Sequence, residues 1–232
     1  MFGRLTSTEV AHILAGTVLF AGLESAALDD LAQAGTQRTL DRHQYLWWQG
    51  DAGDRLCVVA SGHVKLVLSS ERGDDLILAV VGPGEAIGEL ALLDGGPRSA
   101  SAVASERTTV IMIPRPALLD VMSRHPAVLD AVMRALGRLV RSSNELAADQ
   151  VFLDVAGRLA KVLIRLAAER SPDAAGFVDL GLTQSDLAAM VGATRPAVNR
   201  ALQVLVAREL ITLRGASVAI RDIDGLRRRA DG

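Results

Sequence analysis

The chain has 232 residues, half of them apolar and 22% charged, with a formal net charge of −2, an ordinary globular make-up with room for one large domain or two smaller ones. No apolar run approaches the roughly 20 residues of a bilayer-spanning helix. Cys57 is the single cysteine, which excludes an intramolecular disulfide, a thiolate zinc cluster and a cysteine-held iron–sulfur centre.

The opening stretch MFGRLTSTEVAHILAG lacks the cationic start, long apolar centre and cleavage pattern of a secretory leader, so a reducing cytoplasm is expected. After it, residues 7–34 read as short helices: Thr8 followed by Val10, Ile13 and Leu14, then Ser25 followed by Leu28, Leu31 and Ala32. From about 36 to 114 the pattern changes to short strands. HVKLVLSS puts Val64, Leu66 and Leu68 on one face, DLILAVV alternates in the same way, and TTVIMIP closes the series. Turn signals stand at Gly50, Gly53, Gly62, Gly73, Gly82-Pro83-Gly84 and Gly95-Gly96. Many short strands at such intervals predict an antiparallel barrel or roll.

After Pro116 the pattern is helical. His125-Pro126 marks a helix start, and about 25 residues follow without a break, or roughly 37 Å of helix. Leu129, Leu136, Ser143 and Gln150 are spaced by seven, with Val132, Leu139 and Leu146 as a companion row and Met133, Val140 and Ala147 beside them. Such a stripe packs either on its own domain or on a second chain as a short coiled coil. Arg134, Arg138 and Arg141 lie off it. Asp154 then reads as the N-cap of VAGRLAKVLIRLAAER, SPDAAGF as a loop, and the last 50 residues as helix, turn, helix and two short strands. Charge follows this division: residues 151–232 hold 12 Arg or Lys against 9 Asp or Glu, and the remainder 13 against 18. The cationic excess at the C-terminal end fits chance variation or a unit that meets a polyanion.

Two stretches carry chemistry. In GEAIGELALLDGGPRSASAVA, residues 84–104, Glu89 and Arg98 stand in a run otherwise built for burial. An unpaired buried charge costs several kcal/mol, so both side chains need partners. One solution is a Glu89–Arg98 salt bridge tying a loop to the roll. The other is a ligand: Arg98 offers a planar fork for phosphate oxygens and Ser99 a hydroxyl, while Glu89 accepts from sugar hydroxyls. Phosphate and sugar hydroxyl side by side describe a nucleotide. The second stretch is LTQSDLAAMVGATRPAVNRALQVLVARELI. Thr183 caps a short helix with Leu187, Ala188 and Val191 facing inward, Gly192 makes the turn, and Thr194 caps a second helix buried through Val198, Leu202 and Leu205. That leaves Arg195, Asn199 and Arg200 outward, where Arg can bridge guanine and Asn can read adenine in a major groove. ITLRGASVAIRD follows as a hairpin wing with Arg214-Gly215 near its tip. Catalysis is not expected: Glu85 and Glu89 are four apart, but no nucleophile–histidine pair, metal-ligand cluster or Walker loop accompanies them.

GELALLDGGPRSASAVA resembles the phosphate-binding cassette of cyclic-nucleotide-binding domains, and WQGDAGDRLCVVASGHVKL, through Gln49, Gly50, Asp51, Val59, Gly62 and Val64, resembles the preceding part of the same domain. With the winged helix, the chain from about residue 19 to 222 is similar to the cyclic-AMP receptor protein/fumarate-nitrate regulator family of bacterial transcription factors, closest to the cyclic-AMP receptor branch. The resemblance implies an α+β chain: an antiparallel β-roll over 1–124, a long dimerisation helix and hinge over 125–153, and a winged helix-turn-helix over 154–232.

It further implies that Gly88 and Leu90 give backbone contacts to cyclic AMP, that Glu89 holds the ribose 2′-hydroxyl, and that Arg98 with Ser99 holds the cyclic phosphate. Ser143 and Asn144 fall where two adjacent polar residues bind adenine, in place of the commoner Thr/Ser pair. Thr183, Gln184, Thr194, Arg195, Asn199 and Arg200 align with the DNA-contacting surface. Two of these positions depart from the family pattern: Pro196 stands where a Glu usually follows the first Arg, and Gln184 where an Arg commonly meets phosphate. No iron–sulfur cysteine cluster is present, and His12, His43, His63 and His125 show no metal spacing. The expectation is a homodimeric cytoplasmic regulator, not an enzyme. It takes cyclic AMP as effector, with no metal, and has double-stranded DNA, itself and RNA polymerase as partners, and no membrane. The alternatives are a family regulator with a different effector or none, and a regulatory subunit without a DNA-reading head.

Overall fold

The computed structural model describes residues 5–71, 73–168 and 170–232. The first four residues of the stretch read as non-secretory, and Glu169 near the end of the helix read after Asp154, lie outside the described residues. Two compact units are formed, Met1–Asp74 with Leu78–Val140, and Arg141–Gly232 with Asp75–Ile77. The division falls inside the long helix.

In the first unit, α1 (Ser7–Ala15) is capped by Thr6. The Thr6 hydroxyl accepts from the Glu9 N–H and the Glu9 carboxylate accepts from the Thr6 N–H, which together satisfy two amides at the helix start. Helix α2 (Ser25–Ala34) buries Leu28, Leu31 and Ala32 as its spacing predicts. Eight strands follow: β1 (Thr36–Leu40), β2 (Tyr45–Trp47), β3 (Arg55–Ser61), β4 (Val64–Ser69), β5 (Asp75–Val81), β6 (Ala86–Ile87), β7 (Ser101–Ala104) and β8 (Thr108–Pro114). They make two four-stranded sheets, ordered β1-β8-β3-β6 and β2-β7-β4-β5, with antiparallel registers such as Leu56 opposite Ile113 and Val58 opposite Ile111.

Strands β3 and β8 are buried on both faces. Leu56, Val58, Ile111 and Ile113 face a core shared with the helices, while Cys57, Val59 and Val110 face the interior of the roll. The one-sided pattern expected for β4 does not hold. Lys65 and Val67 are buried there beside Val64, and Leu66 and Leu68 are only half-buried, so both faces of β4 carry covered residues.

Helix α3 (Glu89–Asp94) is the short turn after Gly88, and α4 (Arg115–Arg124) carries Pro116 in its first turn, where a missing amide costs nothing. Helix α5 (Pro126–Phe152) is 27 residues long. Near its start it uses Val128 and Val132 to close the helical core, with Ala131 buried between them, whereas Leu129, Met133 and Val140 stay 47%, 60% and 59% exposed. The seven-residue rows therefore divide: Val132 enters this core and Leu136 packs against it, while Leu129, Met133 and Val140 stay outside.

The second unit packs α6 (Val155–Ala168), α7 (Gln184–Val191) and α8 (Arg195–Ala207) with a small sheet. Asp154 caps α6, accepting the Gly157 N–H at 2.9 Å. The wing, β10 (Ile211–Arg214) and β11 (Ser217–Ile220), gains a third strand, β9 (Val178–Asp179), beside β11. The chain does not end with the wing: α9 (Ile223–Asp231) follows, capped by Asp222, with Leu226 and Ala230 buried and Arg229 paired to Asp154. Gly225 and three consecutive arginines hide this helix from a reading by apolar period.

Candidate functional site

The cassette is built by two glycines. Gly88 has φ of 88° and Gly95 of 72°, so each end of α3 turns through the left-handed region. Gly88 is also required sterically, because a Cβ there would collide with Nη1 of Arg98 and come within 3.2 Å of Trp47 Cη2. The returning segment is pinned to the loop before β3. The Arg98 N–H donates to Asp51 O at 2.8 Å, the Gly50 N–H donates to Arg98 O at 2.9 Å, and Ala52 bridges Pro97. The Ser101 hydroxyl accepts the Gln49 N–H at 2.9 Å. The QGD sequence thus serves as the backbone template for the PRS sequence.

Arg98 is only 4% exposed. Its Nη1 donates to Gly88 O at 3.1 Å and its Nη2 to Arg55 O at 2.7 Å. The guanidinium lies over the Trp47 ring at 3.9 Å, and Nε–H is buried without an acceptor. Among the described residues Arg98 and Glu89 form no ion pair with each other or with any other group. The salt-bridge solution to the buried charges is not adopted. Burial pushes the Glu89 carboxyl up, against the opposing pull of the Glu89 and Gly88 amides and of Arg98. Burial likewise lowers Arg98 from its ordinary value, and it pushes the neighbouring Cys57 thiol up to about 12. Two charges are therefore held at a desolvation cost, each close to the other and neither neutralised by it.

Glu89 lines a cavity of about 240 Å³ with Thr17, Leu19, Glu85, Ala135 and Arg138. Arg98 and Ser99 do not line it, and Ser99 and Glu85 are exposed while Leu90 is half-buried. Arg138, placed off the apolar stripe by its spacing, brings a guanidinium to the Glu89 cavity that Arg98 does not reach. Its position i+3 from Ala135, another lining residue, was the available signal. Ser143 and Asn144 are exposed neighbours on α5 within the second unit.

In the second unit, α7 starts at a Thr183–Asp186 capping box, Gly192 turns with φ of 65°, and the Thr194 hydroxyl accepts the Ala197 N–H to open α8. Pro196 sits in the first turn of α8, as expected. Arg195 Nε donates to Gln184 Oε1 at 3.3 Å, joining the starts of the two helices through exposed side chains. Arg200 is exposed. Asn199 departs from the outward placement expected of it: it is half-buried, with Oδ1 buried and unpartnered. It follows Val198 directly and lies one turn before Leu202, at the edge of the buried stripe. At the wing, Arg214 is paired with Asp173 and lies over Phe177 at 4.1 Å. Asp173 itself accepts the Ala175 and Phe177 amides at 2.9 Å each. The loop SPDAAGF is therefore a partner of the wing tip, which its sequence did not signal.

Residues 37–125 match the cyclic nucleotide-binding domain family, and residues 157–229 match the Crp-like helix-turn-helix domain family. The CRP-like cAMP-activated global transcriptional regulator of Mycobacterium tuberculosis is 35% identical over 94% of this chain and 99% of its own. The chain belongs to the CRP/FNR family of transcription regulators. A further relative, the cyclic AMP receptor protein of Thermus thermophilus, is 33% identical over 89% of this chain and 94% of its own. The crystal structure of the Thermus thermophilus catabolite activator protein aligns with a TM-score of 0.54 at 31% identity, covering 93% of this chain and 99% of that one. The CRP/FNR assignment carries a cyclic-nucleotide-binding unit, a DNA-binding unit and a regulatory rather than enzymatic role. Among the described residues no helix is long and apolar enough to cross a membrane, and no three His, Cys, Asp or Glu side chains are grouped to hold a metal ion.

Proposed function

We propose that this CRP/FNR regulator is a cytoplasmic homodimer that binds cyclic AMP through the cassette of residues 88–104 and, in that state, a palindromic DNA operator through α8. The observation that carries the effector reading is Arg98, a buried permanent cation whose Nε–H has no acceptor and whose charge no carboxylate neutralises. An anionic oxygen supplies both deficits. Glu89, on its cavity, is suited to accept from a sugar hydroxyl. Gly88 and Leu90 border the same turn, Ser99 follows Arg98, and Ser143 with Asn144 would meet the base. The names of the relatives, "cAMP-activated" and "cyclic AMP receptor", support the same choice.

The dimer reading rests on the exposed Leu129, Met133 and Val140 of α5, spaced for a coiled coil. The DNA reading rests on exposed Arg195 and Arg200, with Thr183, Gln184, Thr194 and Asn199 around them, and a transcription activator or repressor of this kind would also meet RNA polymerase. Ligand binding acts by population shift, which requires cyclic AMP to prefer the DNA-competent state.

One observation favours a second reading, a different effector: Arg138, not Arg98, shares the Glu89 cavity. Calorimetric titration of the full chain with cyclic AMP and cyclic GMP, joined to operator selection with and without nucleotide, tests both readings. Cyclic AMP binding that raises operator affinity is the expected result. Absence of heat with either nucleotide overturns the cyclic-nucleotide effector, and operator binding unchanged by nucleotide overturns the coupling.

A further inference from the structure

In YLWWQG the two tryptophans have opposite fates. Trp47 is buried and Trp48 is 53% exposed, stacked on Tyr45 with ring centroids 3.5 Å apart. The pairing of β2 with β7 explains the inward turn. Tyr45 faces Val103 and Trp47 faces Ala102, so two steps along β2 are met by one along β7. Such an extra residue re-aims the side chain beside it. Leu46 and Trp47 are consecutive and both buried, at 6% and 8% exposure.

The re-aimed indole touches each part of the cassette. Its face lies under the Arg98 guanidinium at 3.9 Å. Its Nε1–H donates to Ala100 O at 3.0 Å, two residues beyond Arg98 on the same segment. Its Cη2 edge stands 3.2 Å from where a Cβ of Gly88 would be, so the ring also seals the turn that opens α3. With Gly88 O and Arg55 O taking the two terminal nitrogens, the guanidinium is held on one face and on two edges. Nε–H is the donor left over.

We propose that Trp47 is the positioning residue for Arg98: its indole holds the guanidinium, out of water and in one orientation, as the anchor for the anionic group of a cyclic nucleotide. A cation over an indole face is attracted by the ring quadrupole, most strongly when desolvated. The same ring costs little to order, since its N–H is already bonded to the backbone. An anion arriving at Arg98 thus meets a cation already fixed in orientation, with Nε–H as its unmet donor, and the ordering cost is spared at the moment of binding. The proposal rests on the cyclic-nucleotide reading above.

Calorimetric titration of the full chain with cyclic AMP and cyclic GMP, in the wild type, Trp47→Leu, Trp47→Phe, Arg98→Gln and the Trp47→Leu/Arg98→Gln pair, tests it. Trp47→Leu should weaken binding about tenfold and Trp47→Phe by no more than about threefold, since the phenyl face remains. In the Arg98→Gln background, Trp47→Leu should cost less than about twofold further. Equal losses in both backgrounds would mean that the ring supports only the fold, and would overturn the proposal. So would an unchanged affinity in Trp47→Leu. No binding by the wild type overturns the cyclic-nucleotide reading itself, a distinct result. If Trp47→Leu does not fold, fluorinated tryptophans at 47 in a Trp48→Phe background weaken the π face without changing its shape. Affinity should fall with each added fluorine, and a flat series overturns the role of Trp47.

Discussion

The cassette around Arg98 and the α7–α8 surface around Arg200 both present cations, but in opposite states. Arg98 is 4% exposed, stacked and bonded to backbone carbonyls, with one donor unmet. Arg195 and Arg200 stand in water, and the nearest order among them is one 3.3 Å bond to Gln184. A pocket for a small anion gains selectivity by desolvating its cation in advance, so that a ligand which fits makes up a deficit that water cannot. A surface for a polyanion keeps its cations hydrated and mobile, so that many weak contacts add and salt can loosen them.

That contrast can be broken or sharpened by substitution. Arg98→Ala should have the largest effect, a loss of cyclic-nucleotide affinity on the order of 100-fold or more by titration, since it removes a buried cation rather than a hydrated one. The variant should keep the wild-type oligomeric state by light scattering. A wild-type response in it would take Arg98 out of the pocket. Arg200→Ala should weaken operator binding by about 1–3 kcal/mol and relax preference at one base pair. A uniform loss across all sequences in a selection assay would make it a phosphate contact instead.

Asp173→Asn is smaller and tests whether the wing belongs with the hydrated set. An amide oxygen can still accept from Ala175 and Phe177, but the charge pairing Arg214 is gone. Binding to DNA should tighten by a few-fold at about 50 mM salt, and the slope of log K against log salt should steepen by about one phosphate contact. An unchanged slope would leave Arg214 out of the interface. The smallest effect is Glu89→Gln. Burial raises the Glu89 pKa in the folded chain, so the stability linked to its protonation is present in acid and is lost as pH rises through the folded value. At pH 7 the neutral variant should therefore melt about 2 °C above the wild type. The gap should close as pH falls below the unfolded carboxylate value of about 4, while the variant's loss of nucleotide affinity should show at pH 7. A lower Tm at pH 7 would mean that ionised Glu89 has a stabilising partner.

Much of this architecture is written in local signals. Thr183, Gly192 and Thr194 mark the two helices of the DNA-binding unit because caps and left-handed turns act within a few residues. Gly88 and Gly95 frame the cassette for the same reason. What escapes a sequence reading is set by contacts distant along the chain. Lys65 and Val67 are buried on the face of β4 opposite Val64, Asn199 is drawn inward at the edge of the stripe, and α9 docks on α6 despite Gly225 and its arginines. Trp47 is of this kind too. Nothing in YLWWQG says which ring turns inward, because the choice depends on one extra residue opposite β7. The glutamate–arginine question divides the same way: the pattern shows that both charges need partners, and only the fold shows that they do not choose each other.

Strands β3 and β8 form a party wall, with Leu56, Val58, Ile111 and Ile113 on the helical side and Cys57, Val59 and Val110 on the other. The first turns of α5, through Val128 and Val132, join the core on the helical side of that wall. A disturbance inside the roll has no compartment in which to stay. A single layer of peptide separates the roll interior from the core that the foot of the longest helix completes, so the first unit should open to hydrogen exchange as one block rather than by fraying strand by strand.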